Sequence, residues 1–111
     1  MNMNKLEPGM CRALPAGSQP LAQAQIDAGL AQLPGWKHRD GAIGKTFSFG
    51  DYAETIAFVN GVAGIAQRED HHPDMLVGYD TCRVAYRTHS VGGISANDFI
   101  CAAKIEALCR I

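Results

Sequence analysis

The chain has 111 residues and a formal net charge of -1, which fits one small domain and offers no basic surface for nucleic acid. Hydrophobic residues make up 47% of it and charged residues 19%, so disorder throughout is excluded. No apolar run reaches the roughly 18 residues that a membrane span needs, and the first residues lack the apolar core of a signal peptide. We therefore expect a cytoplasmic protein, with a core small enough to favour self-association.

The four cysteines contain no C-x-x-C pair; they are Cys11, Cys82, Cys101 and Cys109. A disulfide framework is not expected in a chain without a secretion signal. The sequence therefore predicts small buried thiols.

Proline and glycine are concentrated in residues 1–20. This composition predicts an N-terminal extension that is partly disordered or lies against the domain formed by residues 21–111. A helical pattern of apolar residues then runs from Leu21 to Leu33, and Pro34-Gly35 ends it.

A hairpin is predicted next. Its strands are Trp36–Arg39 and Ile43–Phe49, and Asp40-Gly41 is a typical two-residue turn between them. Lys45 shares the face of the apolar residues on the second strand, so that face is not uniformly apolar.

The second helix has a clear start. Asp51 can cap free backbone N–H groups, Glu54 can reach back, and the helix is expected to run to about Arg68. Gly61 and Gly64 each cost about 1 kcal/mol inside a helix, which suggests close approach of a neighbouring element at both.

Two strands and a third helix complete the pattern. The strands are predicted at Met75–Tyr79 and Thr81–His89, and the helix at Ser95–Cys109 with Ser95 as its N-cap. The order α-β-β-α-β-β-α predicts an α+β fold, with a four-stranded antiparallel sheet that carries helices on one face. Its open edges favour dimerisation.

Three of the four histidines, His71, His72 and His89, flank the last two strands. If these strands pair, the imidazoles and Asp98 can meet at one edge of the sheet. Acid/base catalysis, a metal site and unrelated surface histidines all remain open at this point, because spacing does not separate them. From the residues alone, stabilising the dipole of its helix is favoured for Asp98 over a catalytic role.

These residues form an ordered set of short motifs: Asp70-His71-His72-Pro73-Asp74, Tyr79, Thr88-His89, Gly93-Ile94-Ser95 and Asp98, preceded by Gly35-Trp36 and Phe47-Ser48-Phe49. The set resembles the pterin-4a-carbinolamine dehydratase family over roughly Leu21 to Leu108. The resemblance implies loss of water from 4a-hydroxytetrahydropterin to give quinonoid dihydropterin. This step recycles the tetrahydrobiopterin used by aromatic amino acid hydroxylases. It also implies a homodimer or homotetramer, with neither metal nor organic cofactor.

The resemblance also assigns site residues. His71, His72 and His89 match the catalytic, pterin-contacting histidines, while the substrate-binding positions are Asp70, Thr88, Asp98 and Gln67. Family members commonly carry an acidic residue where this chain has Gln67, so its contact with the pterin or support of His71 is expected to be weaker. Two alternatives to the dehydratase are a metal-dependent protein and a non-catalytic dimerisation module.

Overall fold

An antiparallel sheet with helices packed on one face forms the molecule, as the α+β pattern predicted. The computed structural model describes residues 9–109, so the first eight residues of the predicted extension and the last two of the predicted domain lie outside it. Its elements are α1 (Gln23–Leu30), β1 (Lys37–Arg39), β2 (Ala42–Ser48), α2 (Tyr52–Glu69), β3 (Asp74–Val77), β4 (Thr81–Tyr86) and α3 (Ala96–Leu108).

The sheet has the strand order β1-β2-β4-β3, and every neighbouring pair is antiparallel. On β4, the alternating residues Cys82, Val84 and Tyr86 are fully buried, as their spacing predicted. Lys45 of β2 does share the covered face, where its Nζ lies 3.0 Å from Glu106 of α3. The ion pair explains how a lysine is accommodated there.

The predicted turn and helix cap are both confirmed. Asp40 and Gly41 have φ angles of 54° and 77°, the left-handed pair that a tight two-residue hairpin needs. Asp51 accepts a hydrogen bond of 2.8 Å from the backbone N–H of Glu54, and α2 follows. No helix within residues 9–109 combines the length and apolarity required to cross a bilayer.

Only one of the two glycines in α2 serves close packing. A Cβ on Gly61 would lie 2.6 Å from Leu108 Cδ2, so α3 can approach only because Gly61 has no side chain. The same expectation for Gly64 is wrong, because the nearest atom there belongs to Arg68 of the same helix. A close approach that the sequence did not reveal occurs at Gly29, against the ring of Phe99.

Three elements end two or more residues earlier than predicted. The helix predicted at Leu21–Leu33 is the shorter α1, and the strand predicted at Met75–Tyr79 ends at Val77, where Gly78 N–H turns back to Thr81 O at 2.8 Å. β4 ends at Tyr86 instead of His89.

The early end of β4 has a local cause. Thr88 pairs with Gly93 through backbone hydrogen bonds of 2.8 and 3.4 Å, and the chain between them forms a single 3-10 turn, His89–Val91. Gly92 closes this turn with a φ of 70°, a left-handed value that suits glycine. This loop places Thr88 beside the start of α3.

Candidate active site

The end of α2 positions the first site histidine. Asp70 adopts a left-handed conformation with a φ of 51° and closes the helix by donating its N–H to Ala66 O. The N–H of His71 donates to the same carbonyl at 3.2 Å, so the chain leaves the helix with His71 held against its last turn. The carbonyl of His71 accepts a hydrogen bond of 3.2 Å from the hydroxyl of Tyr86.

The start of α3 supplies the second part of the site. Ser95 caps the helix by accepting the N–H of Asn97 at 3.2 Å, and its own N–H donates to Asp98 Oδ2 at 2.8 Å. The two residues form a reciprocal capping box. The predicted role of Asp98 at the helix start is therefore real, but it occupies only one of the two carboxylate oxygens.

Asp98 is the centre of a buried hydrogen-bond network. Its side chain is fully buried, and Oδ2 also accepts the hydroxyl of Thr88 at 2.8 Å. The other oxygen, Oδ1, lies 2.6 Å from His71 Nε2. Because the Thr88 hydroxyl proton points to Asp98, the 2.7 Å contact between Thr88 and Ser95 hydroxyls has Ser95 as its donor. A carboxylate at such depth is tolerable because all these donors face it.

Asp98 favours the protonated form of His71. The hydrogen bond with Asp98 raises the pKa of His71, and this effect outweighs the partial burial that lowers it. The imidazole ring also stacks on Tyr86, with ring centres 5.1 Å apart and planes inclined by 22°. His71 is thus fixed in orientation, with Nε2 directed at Asp98.

A pocket of about 260 Å³ lies over this network. Its volume suits a small molecule such as a bicyclic heterocycle more than a large cofactor. The end of α2, the loop after β4, the start of α3 and the N-terminal segment line it. The lining residues in that order are Glu69, Asp70 and His71; Thr88 and Ser90; Asn97; and Cys11, Arg12, Ala13 and Leu14.

Residues 11–14 form a pocket wall that the sequence did not predict. Asn97 binds the backbone of Arg12 in both directions, with Oδ1 accepting its N–H at 3.0 Å and Nδ2 donating to its carbonyl at 2.8 Å. Glu69 accepts the N–H of Cys11 at 2.8 Å. In the sequence, Asn97 is only a polar residue in the first turn of a helix, so no local signal marks this long-range contact.

The predicted site residues occupy three kinds of position. His71, Thr88 and Asp98 join in one hydrogen-bond network, and Asp70 is an exposed lining residue of the pocket. Both His72 and His89 are exposed and neither lines the pocket, although each directly follows a residue that does, His71 and Thr88 respectively. The last predicted position, Gln67, is exposed on α2 and is also absent from the lining.

The metal alternative requires several ligand side chains that lie close together. Within residues 9–109, no three side chains of His, Cys, Asp or Glu come together in a group that could hold a metal ion. The pair His71–Asp98 instead resembles an acid/base unit, in which a buried carboxylate orients an imidazole and stabilises its positive charge.

Comparison with known proteins agrees with this geometry. A family model described as Pterin 4 alpha carbinolamine dehydratase matches residues 19–108. A protein of Nitrosomonas europaea is 50% identical over 108 residues, which cover 96% of each chain. One of Nitrosospira multiformis is 52% identical over 101 residues, covering 91% of this chain and 89% of the relative. Both bear the name "Putative pterin-4-alpha-carbinolamine dehydratase".

Two solved structures share the fold. A transcriptional coactivator/pterin dehydratase from Brucella melitensis superposes with a TM-score of 0.78 at 30% identity, over 81% of this chain and 98% of that one. A pterin dehydratase-like protein described as a RuBisCO assembly factor in the alpha-carboxysome has a TM-score of 0.55 at 23% identity, over 66% and 84% of the two chains, and shows the fold alone. With its family model matched from residue 19 to 108, this chain belongs to the pterin-4α-carbinolamine dehydratase family.

Proposed function

We propose that this protein is a lyase that removes water from 4a-hydroxytetrahydropterin and releases quinonoid dihydropterin. The observation that carries the proposal is the pairing of His71 with a fully buried Asp98 beside a pocket of about 260 Å³, in a chain of this family. The reaction breaks a carbon–oxygen bond and forms a carbon–nitrogen double bond. One proton must be given to the leaving hydroxyl, and one must be taken from the adjacent ring nitrogen.

His71 is suited to one of these proton transfers. Since Asp98 raises the pKa of His71, the ring favours the imidazolium form, in which Nδ1–H can donate to the pterin or to its hydroxyl. From the sequence we expect His72 or His89 to be the acid and His71 to orient the pterin or act as base. The raised pKa of His71 instead favours orienting the pterin or donating a proton over acting as base. Thr88 and Ser95 assist indirectly, because they hold Asp98 in place.

His72 and His89 are the candidates for the second transfer. Both follow pocket residues along the chain and both are exposed, so either ring can turn towards a bound pterin without breaking a buried contact. An exposed imidazole can accept a proton from a bound substrate and return it to solvent. In this proposal one of them serves as the base while His71 serves as the donor.

The remaining expectations about partners are part of the same proposal. The product would re-enter tetrahydrobiopterin recycling beside an aromatic amino acid hydroxylase in the cytoplasm. A homodimer or homotetramer is supported by the edge strand β3, where Leu76 is 74% exposed, and by the neighbouring Tyr79, which is 66% exposed. Unpaired edges with apolar side chains favour pairing with another chain. A monomer in light scattering would contradict this part.

The proposal is tested by following dehydration in a stopped-flow absorbance assay, with the 4a-carbinolamine generated by a hydroxylase. Purified protein should accelerate dehydration well beyond the spontaneous rate. Replacing His71 by Gln should reduce kcat by about 100-fold or more, the usual size of a lost acid/base group. His38→Gln is the matched control, because His38 is exposed on β1 and does not line the pocket, and it should retain the full rate.

The same assay assigns the second histidine. We expect either His72→Gln or His89→Gln to show a comparable loss. Wild-type rates in both variants would remove these residues from the mechanism. A protein that binds a pterin but leaves the spontaneous rate unchanged would favour the non-catalytic module instead.

A further inference from the structure

Two thiols meet where the pocket wall of residues 11–14 contacts α3. Cys11 Sγ lies 3.5 Å from Cys101 Sγ, although the residues are 90 positions apart in the chain. Cys101 is fully buried in α3, whereas Cys11 is half-buried and lines the pocket. This arrangement differs from that of the other two cysteines, since Cys82 is buried alone in the sheet and Cys109 is exposed at the end of α3.

The backbone on both sides of Cys11 is held in place. Its own N–H donates to Glu69 at 2.8 Å, and the next residue, Arg12, is bound in both directions by Asn97. The sulfur of Cys11 also lies 3.6 Å from the carbonyl of Asn97. The backbone hydrogen bonds of Cys11 and Arg12 therefore keep the two sulfurs adjacent without involving the sulfurs themselves. Such positioning is the condition for a fast intramolecular reaction.

We propose that Cys11 and Cys101 form a site of reversible oxidation, which closes to a disulfide when the protein meets a hydroperoxide. Cys11 is the sulfur that the oxidant can reach, because it lines the pocket. Because the hydrogen bond with Cys101 and burial raise the pKa of Cys11, the thiol passes its proton to the departing oxygen as the O–O bond breaks. Its sulfur bonds to the other oxygen, which yields a sulfenic acid and releases water or an alcohol. Cys101 then attacks that sulfur, the S–O bond breaks, and the oxygen leaves as a second water. In total the protein loses two protons and two electrons, which together equal two hydrogen atoms.

The disulfide would join the pocket wall of residues 11–14 covalently to α3. A disulfide needs about 2.05 Å between the sulfurs, so they must approach by roughly 1.5 Å, which draws residues 11–14 towards α3. The bond would also link residues 90 positions apart in the chain, and such cross-links raise stability by restricting the unfolded chain. In a reducing compartment the bond would be transient, because dithiol reductants reverse it by exchange.

The test uses the full chain with Cys109→Ser, which removes the exposed thiol and its intermolecular disulfides. Hydrogen peroxide is added to the folded protein, and intact mass is measured before and after a dithiol reductant. We expect a loss of two hydrogens that the reductant restores, and a rise in melting temperature. Trypsin should then release the peptide ending at Arg12 linked to peptide 88–104, which contains Cys101.

Two matched variants and an unfolded control decide the outcome. Cys11→Ser and Cys101→Ser should each abolish the cross-link, whereas Cys82→Ser should retain it. In urea the fold no longer holds the two thiols together, so cross-linking should be at least about tenfold slower than in the folded protein. Gain of oxygen at Cys11 without a cross-link, or a linkage to Cys82, would overturn the proposal. None of these readouts depends on dehydratase activity, so this proposal and the proposed function can fail separately.

Discussion

The two ends of α3 each carry an acidic side chain paired with a cation, and they differ in what the pair can do. Near the helix start, Asp98 is fully buried and lies 2.6 Å from His71, whose side chain is 14% exposed. Near the other end, Glu106 lies 3.0 Å from Lys45, and both side chains are partly exposed. The partner at one end is an imidazole whose pKa Asp98 raises, while the partner at the other end is a lysine amine.

The surroundings of the two pairs explain the difference in role. Asp98 is satisfied on both oxygens by fixed donors, and the paired histidine opens onto a pocket. Glu106 is bound by Lys45, with the Trp36 indole N–H at 3.4 Å, and the pair joins β2 to α3 over the Phe47 ring. One pair favours the protonated form of a histidine that lines the pocket; the other holds a helix against a sheet.

The largest effect is expected from neutralising the two carboxylates one at a time. Asp98→Asn removes the charge that favours the His71 imidazolium, so kcat should fall about 100-fold or more. Breaking a buried pair should also cost about 3 kcal/mol of unfolding free energy. Glu106→Gln should leave kcat unchanged and cost about 1 kcal/mol at most. Equal effects of the two substitutions on kcat would erase the distinction between the pairs.

A smaller effect is expected from loosening the pocket wall. Asn97→Ala removes both hydrogen bonds to the backbone of Arg12 while leaving Asp98 and His71 intact. If residues 11–14 contact the pterin, KM should rise several-fold with little change in kcat. Steady-state dehydration kinetics separate the two parameters. A drop in kcat with constant KM would instead place Asn97 in the acid/base machinery.

The two pairs should also differ in how their stability depends on pH. The pKa of His71 is higher in the folded protein than its ordinary 6.5. The stabilisation that the protonated ring gives to the folded state is therefore fully present below pH 6.5, and it is lost as pH rises through the folded pKa. The difference in unfolding free energy between wild type and His71→Gln should therefore shrink as pH rises. Urea unfolding at several pH values measures this difference, and the same measurement on Lys45→Gln gives the corresponding difference for the other pair.

The smallest effect is expected at Gln67. The residue is exposed on α2 and lies outside the pocket lining, so Gln67→Glu should change kcat/KM less than about threefold. A large gain would show that the missing acidic residue does cost catalysis, through contact with the bound pterin or support of His71.

Local signals in the sequence predicted most of the fold. Alternation on β4, the Asp40-Gly41 turn and the Asp51 cap each depend on neighbouring residues, and the structure confirms all three. The predicted end of β4 was wrong, because the pairing of Thr88 with Gly93 competes with continuing the strand. Alternation along a strand carries no information about such a loop.

The site was predictable only in part. Its histidines and Asp98 stood out as residue types, and their order gave the family resemblance. Asp98 uses one carboxylate oxygen for the helix cap and the other for His71. Residue spacing does not encode the directions of these two oxygens. The wall formed by residues 11–14 depends on contacts across 58 or more positions in the chain, which local patterns cannot reveal.

The pKa of His71, measured by NMR titration of its imidazole protons, tests most directly whether Asp98 holds this ring protonated at the pocket. In the wild-type protein it should lie above 6.5, the ordinary value for histidine. It should fall in Asp98→Asn and stay in place in Glu106→Gln. A wild-type His71 that titrates at or below 6.5, or one whose pKa is the same in Asp98→Asn, would contradict the account.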